Sequence, residues 1–143
     1  MKANFFTESI LFWLAEKTSA LAQRLPPGWN VRVGAAAGFL LYCALPGRRV
    51  VARDNLRAAF GSTTTPAEYD QIERGLFENL GRMFMEVAAI PAINREYVDQ
   101  WVGLAPGSRE RLEKALSGGK GVILLSGHFG NWELIPITGA LNG

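Results

Sequence analysis

A continuous apolar run late in the chain constrains the fold more than any other feature. Residues 121–126 hold four large aliphatic side chains in succession; Gly127 follows directly and Gly130 stands three residues later. An uninterrupted run of this length is typical of a strand that is buried on both faces of a parallel sheet. Residues 97–102 are predicted as a further short strand and residues 106–116 as the helix between the two. The order of these elements predicts an α/β fold with a mostly parallel sheet.

The amino-terminal part predicts helices. Over residues 5–25, apolar side chains fall in one arc at about 100° per residue, opposite Glu8 and Glu16. We expect five of them to contact a membrane: Phe6, Ile10, Trp13, Leu14 and Leu21. A second apolar stretch, 33–45, is shorter than the roughly 20 residues that span a bilayer. Residues 1–46 are therefore predicted as membrane-associated helices and residues 47–143 as the start of a second domain, although two core helices of a soluble bundle stay an alternative.

A long helix is predicted from Thr65 to shortly before Pro91, because Thr65 is a suitable cap and Pro66 suits the first helical position. Its expected core stripe comprises Leu76, Phe77, Leu80, Met83, Phe84, Val87 and Ala88. On the preceding predicted helix, four arginines suit either lipid headgroups or an ordinary solvated face: Arg48, Arg49, Arg53 and Arg57. The sequence leaves these two interpretations open.

Charge and cysteine usage narrow the classes of function. Residues 1–60 carry eight basic against three acidic side chains, and residues 61–143 carry seven against ten. A basic, aromatic-rich start favours an anionic membrane surface, and the later half lacks the basic and aromatic interleaving of nucleic-acid binding. Cys43 is the only cysteine, so we expect no intrachain disulfide and no cysteine zinc site. We read it as a small packing residue.

The one histidine of the chain, His128, directly follows the apolar run. Ligands of open α/β sheets bind at the carboxyl ends of strands, which is where this predicts His128 to lie. Glu133 follows five residues later, in the first turn of a helix that Asn131 is expected to cap, and Gly130 provides the turn between them. A carboxylate that folds back onto an imidazole orients it as a general base. We favour packing against the sheet for Phe129 and Trp132, with lining of an acyl chain as the alternative.

The string Ser126-Gly-His-Phe-Gly-Asn-Trp-Glu133 resembles the first motif of the bacterial lipid A biosynthesis acyltransferases, within the lysophospholipid acyltransferase superfamily. The similarity extends to residues 119–125 and, more loosely, to Arg48-Arg49, Asn55-Leu56 and Phe60. It implies an O-acyltransferase with an HX4E motif in which His128 removes a hydroxyl proton and Glu133 supports it. Gly130 and Asn131 would serve as supporting residues.

The resemblance also implies partners and a location. The donor would be an acyl thioester of acyl carrier protein or coenzyme A. The acceptor would be a membrane glycolipid, and a lipid A-type precursor is the favoured one. No cofactor is expected, and the chain lacks the paired histidines of a zinc hydrolase. The expected location is the bacterial inner membrane, with the active site facing the cytoplasm.

Family members continue past the first motif into further motifs, whereas this chain ends at Gly143. We therefore expect a fragment whose sheet is incomplete and which is inactive by itself. Three alternatives stay open: an inactive membrane-bound fragment, an acyltransferase for another phospholipid or glycolipid acceptor, and a soluble helical interaction module.

Overall fold

A computed structural model describes residues 5–142, with side chains described for residues 8–61 and 63–141. Seven α-helices follow one another in that range: α1 (Phe5–Ala22), α2 (Pro27–Ala44), α3 (Pro46–Phe60), α4 (Pro66–Ala88), α5 (Arg95–Trp101), α6 (Ser108–Leu116) and α7 (Leu134–Asn142). Single 3₁₀ turns occupy Gly61–Thr63 and Ile90–Ala92. The chain divides at the Pro91–Ala92 bond into an amino-terminal and a carboxyl-terminal unit.

Proline and threonine define the starts of the longer helices. Pro27, Pro46 and Pro66 each occupy the first turn of a helix, where a backbone N–H has no acceptor within the helix. Thr65 caps α4 as predicted: its side chain accepts from the Glu68 N–H, and its own N–H donates to the Glu68 carboxylate at 2.7 Å. This reciprocal capping box confirms the predicted start of the long helix.

The close crossing of α2 and α4 forms the centre of the amino-terminal unit. Gly34 and Gly38 of α2 face Gly81 of α4, and a Cβ built on Gly38 would lie 2.1 Å from the Phe77 carbonyl oxygen. The two backbones therefore approach more closely than any side chain at these positions would allow. A small apolar cluster of Ala22, Met85 and Ala89 packs beside the crossing.

The predicted core stripe of α4 is largely wrong. Of its seven members Phe77 is buried, whereas Leu76, Leu80, Phe84 and Val87 are exposed. The buried face instead runs at four-residue intervals through Tyr69, Glu73, Phe77, Gly81 and Met85. Apolar spacing alone missed this face because the crossing requires a glycine and the helix buries an ion-paired glutamate.

The predicted α/β fold with a parallel sheet is also wrong, because the described residues contain no strand. Residues 97–102, expected to form a strand, lie mostly in α5, whose start is capped by the Asn94 side chain accepting from the Tyr97 N–H at 2.9 Å. Val98 is the buried residue of this helix. The predicted helix at 106–116 is confirmed by α6. Residues 121–126 are irregular, and no backbone hydrogen bond from their amides is found within the described chain.

Candidate active site

Glycines shape the backbone around the single histidine. The loop between α6 and α7 contains Gly119, Gly121 and Gly130, all with positive φ. Gly130 has φ +58°, a left-handed conformation that a residue with a Cβ adopts only at a cost. The Phe129 N–H donates to the Gly127 carbonyl at 2.8 Å. The positive φ therefore accounts for the glycine at position 130, two residues after the histidine.

His128 lies within the turn between Gly127 and Phe129, Glu133 lies four residues after Phe129, and both side chains are exposed. Within the described residues, no ion pair of 4.0 Å or less joins the imidazole to the carboxylate. Glu133 lies in the turn before α7 rather than in its first helical turn, where the sequence placed it. The pair is therefore close in sequence and accessible, but not in contact.

Pro136 explains why α7 begins late. A helix that began at Asn131 would require a hydrogen bond from the nitrogen of residue 136 to the Trp132 carbonyl, and proline has no N–H to donate. Starting at Leu134 places Pro136 in the first helical turn, where it is tolerated. The Asn131 carbonyl accepts from the Leu134 N–H at 3.3 Å, so Asn131 is tied to the start of α7 through its backbone.

Trp132 makes a contact with His128 that the sequence did not predict. The imidazole and indole ring centroids are 4.5 Å apart, and the ring planes meet at 64°. An edge-to-face arrangement at this separation is favourable for aromatic rings. The separation of four residues was the available signal; the predicted packing of Trp132 against a sheet is wrong, because the described residues contain no strand.

The apolar run before His128 is exposed rather than buried, which contradicts its predicted place inside a sheet. The exposed fractions are 88% for Ile123, 65% for Leu124 and 95% for Leu125. Phe129, expected to pack against the same sheet, is 93% exposed. A strand obtains its hydrogen bonds and its burial from neighbouring strands, and the described residues provide none.

A second cluster of charges lies in the amino-terminal unit. Glu73 of α4 is fully buried; its carboxylate accepts from Arg49 Nε at 3.0 Å and from Arg53 Nε at 2.9 Å. The hydrogen bond with Glu73 is the main cause that raises the pKa of Arg53, and Asp70 contributes further. Arg49 also stacks on the Tyr42 ring, with 4.1 Å from its guanidinium carbon to the ring centroid. Arg49 and Arg53, two of the four arginines for which lipid headgroups and a solvated face are the two interpretations, are therefore half-buried and paired with Glu73.

The apolar arc of α1 faces away from the helix packing. Ile10, Trp13, Leu14 and Leu21 are exposed, whereas the side chain of Phe6 lies outside the described part of the chain. The carboxyl-terminal end of α1 packs on α4, where the Ser19 hydroxyl donates to the Ala88 carbonyl at 2.8 Å. No helix among the described residues is both long and apolar enough to cross a bilayer.

Comparison with known proteins defines the class of protein. A model of the bacterial lipid A biosynthesis acyltransferase family matches residues 2–138, a range that includes the whole 126–133 motif. The chain belongs to this family of acyltransferases.

A curated relative is the phosphatidylinositol mannoside acyltransferase of Mycobacterium tuberculosis (strain ATCC 25618 / H37Rv). It is 30% identical over 114 residues, which cover 80% of this chain and 35% of the relative. The match thus spans about a third of the relative's length. No solved structure matches the chain.

Proposed function

We propose that the protein carrying this chain transfers a fatty acyl group from an acyl thioester to a hydroxyl of a membrane glycolipid. The observation that carries the proposal is the family match, because it includes the complete motif from Ser126 to Glu133. The exposure of both His128 and Glu133 supports it, since a general base must reach the proton that it removes.

In this mechanism His128 takes the proton of the acceptor hydroxyl as the oxygen attacks the thioester carbonyl. The new ester bond forms, the carbon–sulfur bond breaks, and the proton leaves with the thiolate. The Glu133 carboxylate stabilises the imidazolium during the step, as acidic partners of catalytic histidines do. Because no ion pair joins the two side chains in this structure, the mechanism requires Glu133 to approach His128 when substrate binds.

The family and the relative support a class of acceptor, a membrane glycolipid, with two candidates in it. The family description favours a lipid A-type precursor, and the name of the mycobacterial relative makes a phosphatidylinositol mannoside the second candidate. Both acceptors are membrane glycolipids with free sugar hydroxyls, which is the chemistry that His128 would serve. Acyl carrier protein and coenzyme A stay as the two proposed carriers of the acyl group.

We further propose that residues 1–46 associate with the inner membrane from its cytoplasmic side. The exposed arc of α1 supports this, because the transfer of exposed apolar side chains from water to a lipid interface is favourable. Two cations lie against exposed aromatic rings: Lys17 is 6.0 Å from the ring centroid of Trp13, and Arg32 is 5.5 Å from that of Trp29. Aromatic rings beside basic groups suit the headgroup region of an anionic membrane.

The catalytic proposal is tested by acyl-transfer assays on the intact gene product, with each acceptor and each thioester supplied in parallel. His128→Ala should abolish transfer. Glu133→Gln keeps the size of the side chain but removes its charge, so the rate should fall within the range of about 10²–10⁴ that acid-base groups contribute. The double variant should be about as slow as His128→Ala, because groups that act as a unit are not additive.

An active His128→Ala protein would rule out the mechanism. A wild-type protein that binds membranes but transfers no acyl group to either acceptor would favour the alternative of an inactive membrane-bound form.

The membrane proposal is tested separately by flotation with anionic vesicles at low salt. Trp13→Ser with Leu14→Ser should shift the protein toward the soluble fraction, because both changes remove apolar area from the exposed arc. The matched control is Leu76→Ser with Leu80→Ser, which removes exposed apolar area from α4 and should leave flotation unchanged. Equal losses in both variants would contradict the assignment of the membrane surface to α1.

A further inference from the structure

The contact between Trp132 and His128 gives this tryptophan a role in the motif. We propose that Trp132 is a positioning residue that holds the His128 imidazole in the orientation for proton transfer. The inference rests on the proposed acyl transfer, since it concerns how the base is presented. It is carried by the edge-to-face ring contact, with the centroids 4.5 Å apart.

The loop by itself leaves the imidazole poorly fixed. Gly127 and Gly130 stand close on either side of His128, and glycines leave the backbone conformationally free. Within the described residues, no hydrogen bond or ion pair restrains the imidazole nitrogens. The indole of Trp132 is the ring that meets the imidazole there, so it restricts the rotation of the histidine side chain.

Trp132 is itself attached to the helix that follows. Its carbonyl accepts from the Ile135 N–H at 3.0 Å, and its side chain is half-buried. Phe129, the other aromatic residue of the motif, is 93% exposed and makes no ring contact with His128 in the described structure. Trp132 therefore links the imidazole to the start of α7. Phe129 does not hold the imidazole.

A base that is held in one orientation loses less conformational freedom when the substrate arrives. Removing the indole should therefore lower the rate of the chemical step and leave substrate binding nearly unchanged. An aromatic ring pair contributes enough to correspond to a change of about two- to tenfold in rate. A tryptophan that lined the acyl chain, by contrast, would change KM and the preference for acyl length.

The first test uses the full chain and needs no activity. Because His128 is the only histidine, its ring protons give one assignable set of NMR signals. The ring current of Trp132 should displace these signals in the wild type. Trp132→Leu should bring them close to the values of a free histidine, Trp132→Phe should keep part of the displacement, and Phe129→Leu should leave them unchanged.

The second test measures acyl transfer by the intact gene product. Trp132→Leu should reduce kcat about two- to tenfold with KM and acyl-length preference unchanged, and Trp132→Phe should restore most of kcat. The circular dichroism of each variant checks that the helices persist. Histidine signals that do not move in Trp132→Leu, or a loss confined to KM, would overturn the positioning role.

The two tests also separate this inference from the proposed function. If His128→Ala stays active, the catalytic mechanism fails whatever the histidine signals show. If His128→Ala is inactive while the histidine NMR signals do not move in Trp132→Leu, the mechanism stands and the positioning role fails.

Discussion

The two units of the chain differ in how their backbone hydrogen-bonding groups find partners. In the amino-terminal unit, four long helices make their hydrogen bonds within themselves, and α2 and α4 pack at a glycine crossing. In the carboxyl-terminal unit, residues 121–126 carry the most apolar run of the chain but have neither a backbone partner nor burial within the described structure. A helix closes its own hydrogen bonds, whereas a strand depends on residues elsewhere in the chain. Strong apolar character alone therefore does not produce a strand.

Glycine illustrates the same contrast. Gly38 is required because another backbone occupies the place of a Cβ, whereas Gly130 is required because its φ is positive, and its Cβ would meet open space. The first is a packing requirement of the fold, and the second is a local requirement of the loop that carries His128.

The largest difference that we expect between the units is in amide hydrogen exchange. Amides of residues 122–125 should exchange at nearly the rate of an unstructured peptide, because no acceptor holds them. Amides in the middle of α4, near Phe77, should exchange more slowly by a factor on the order of a thousand or more. Mass spectrometry of peptides from both segments measures this. Strong protection of residues 122–125 would show that this apolar run has hydrogen-bond partners. The two units would then not differ in their backbone hydrogen bonding.

Next in size is the effect of a methyl group at the helix crossing. Gly38→Ala should lower the free energy of unfolding by about 3 kcal/mol or more, because its Cβ would collide with the backbone at Phe77 and force α2 and α4 apart. The control is Gly75→Ala on α4, where nothing lies within 4 Å of the added Cβ. That change should stabilise the helix by about 0.5–1 kcal/mol. Urea denaturation of both variants makes the comparison, and equal effects would refute the close crossing.

A smaller effect is expected from the buried carboxylate. Glu73→Gln should lower the free energy of unfolding by about 2 kcal/mol, because Arg49 and Arg53 donate to different carboxylate oxygens and the amide replaces one of these acceptors with an NH2 donor. We place this below the usual cost of breaking a buried pair because the two arginine side chains keep exposed fractions of 33% and 29%. Urea denaturation provides the value. Glu78→Gln, which weakens pairs with the more exposed Arg74 and with Arg82 on the same helix, should cost clearly less.

The smallest expected effect is at the start of α4. Thr65→Ala removes the cap and should cost about 1 kcal/mol of unfolding free energy at neutral pH. The corresponding change Ser117→Ala, at the end of α6, removes no N-terminal cap and should cost less. Thermal unfolding of the two variants compares them, and equal losses would mean that the capping box adds no stability.

Glu68 makes the stability of this cap depend on pH. Hydrogen bonds from the backbone and then the side chain of Thr65 hold the pKa of Glu68 below its ordinary value of 4.5. The charged carboxylate therefore stabilises the fold above pH 4.5, and this stability is lost as the pH falls through the lowered value. The difference in stability between the wild type and Glu68→Gln should narrow on acidification through that range. A difference independent of pH would contradict the hydrogen-bonded carboxylate.

The sequence predicted best where the signals were local. Pro66 and Thr65 fixed the start of α4, and the helix predicted over residues 106–116 ends at Leu116, as α6 does. It failed at Tyr97–Val102, where β-favouring residues suggested a strand and the Asn94 cap starts a helix instead. It also failed at Glu133, because Pro136 delays the start of α7 to Leu134.

The motif from Ser126 to Glu133 identified the family, and most of the helices were predictable, because caps, prolines and helical hydrogen bonds act within a few residues. The folded chain was needed to show which faces of those helices are buried, that Glu73 lies between two arginines, and that the imidazole of His128 contacts Trp132. Burial depends on which other segment lies against a residue, and a strand depends on a partner for its hydrogen bonds. For that reason the apolar run before His128 predicted a strand that the described residues do not form.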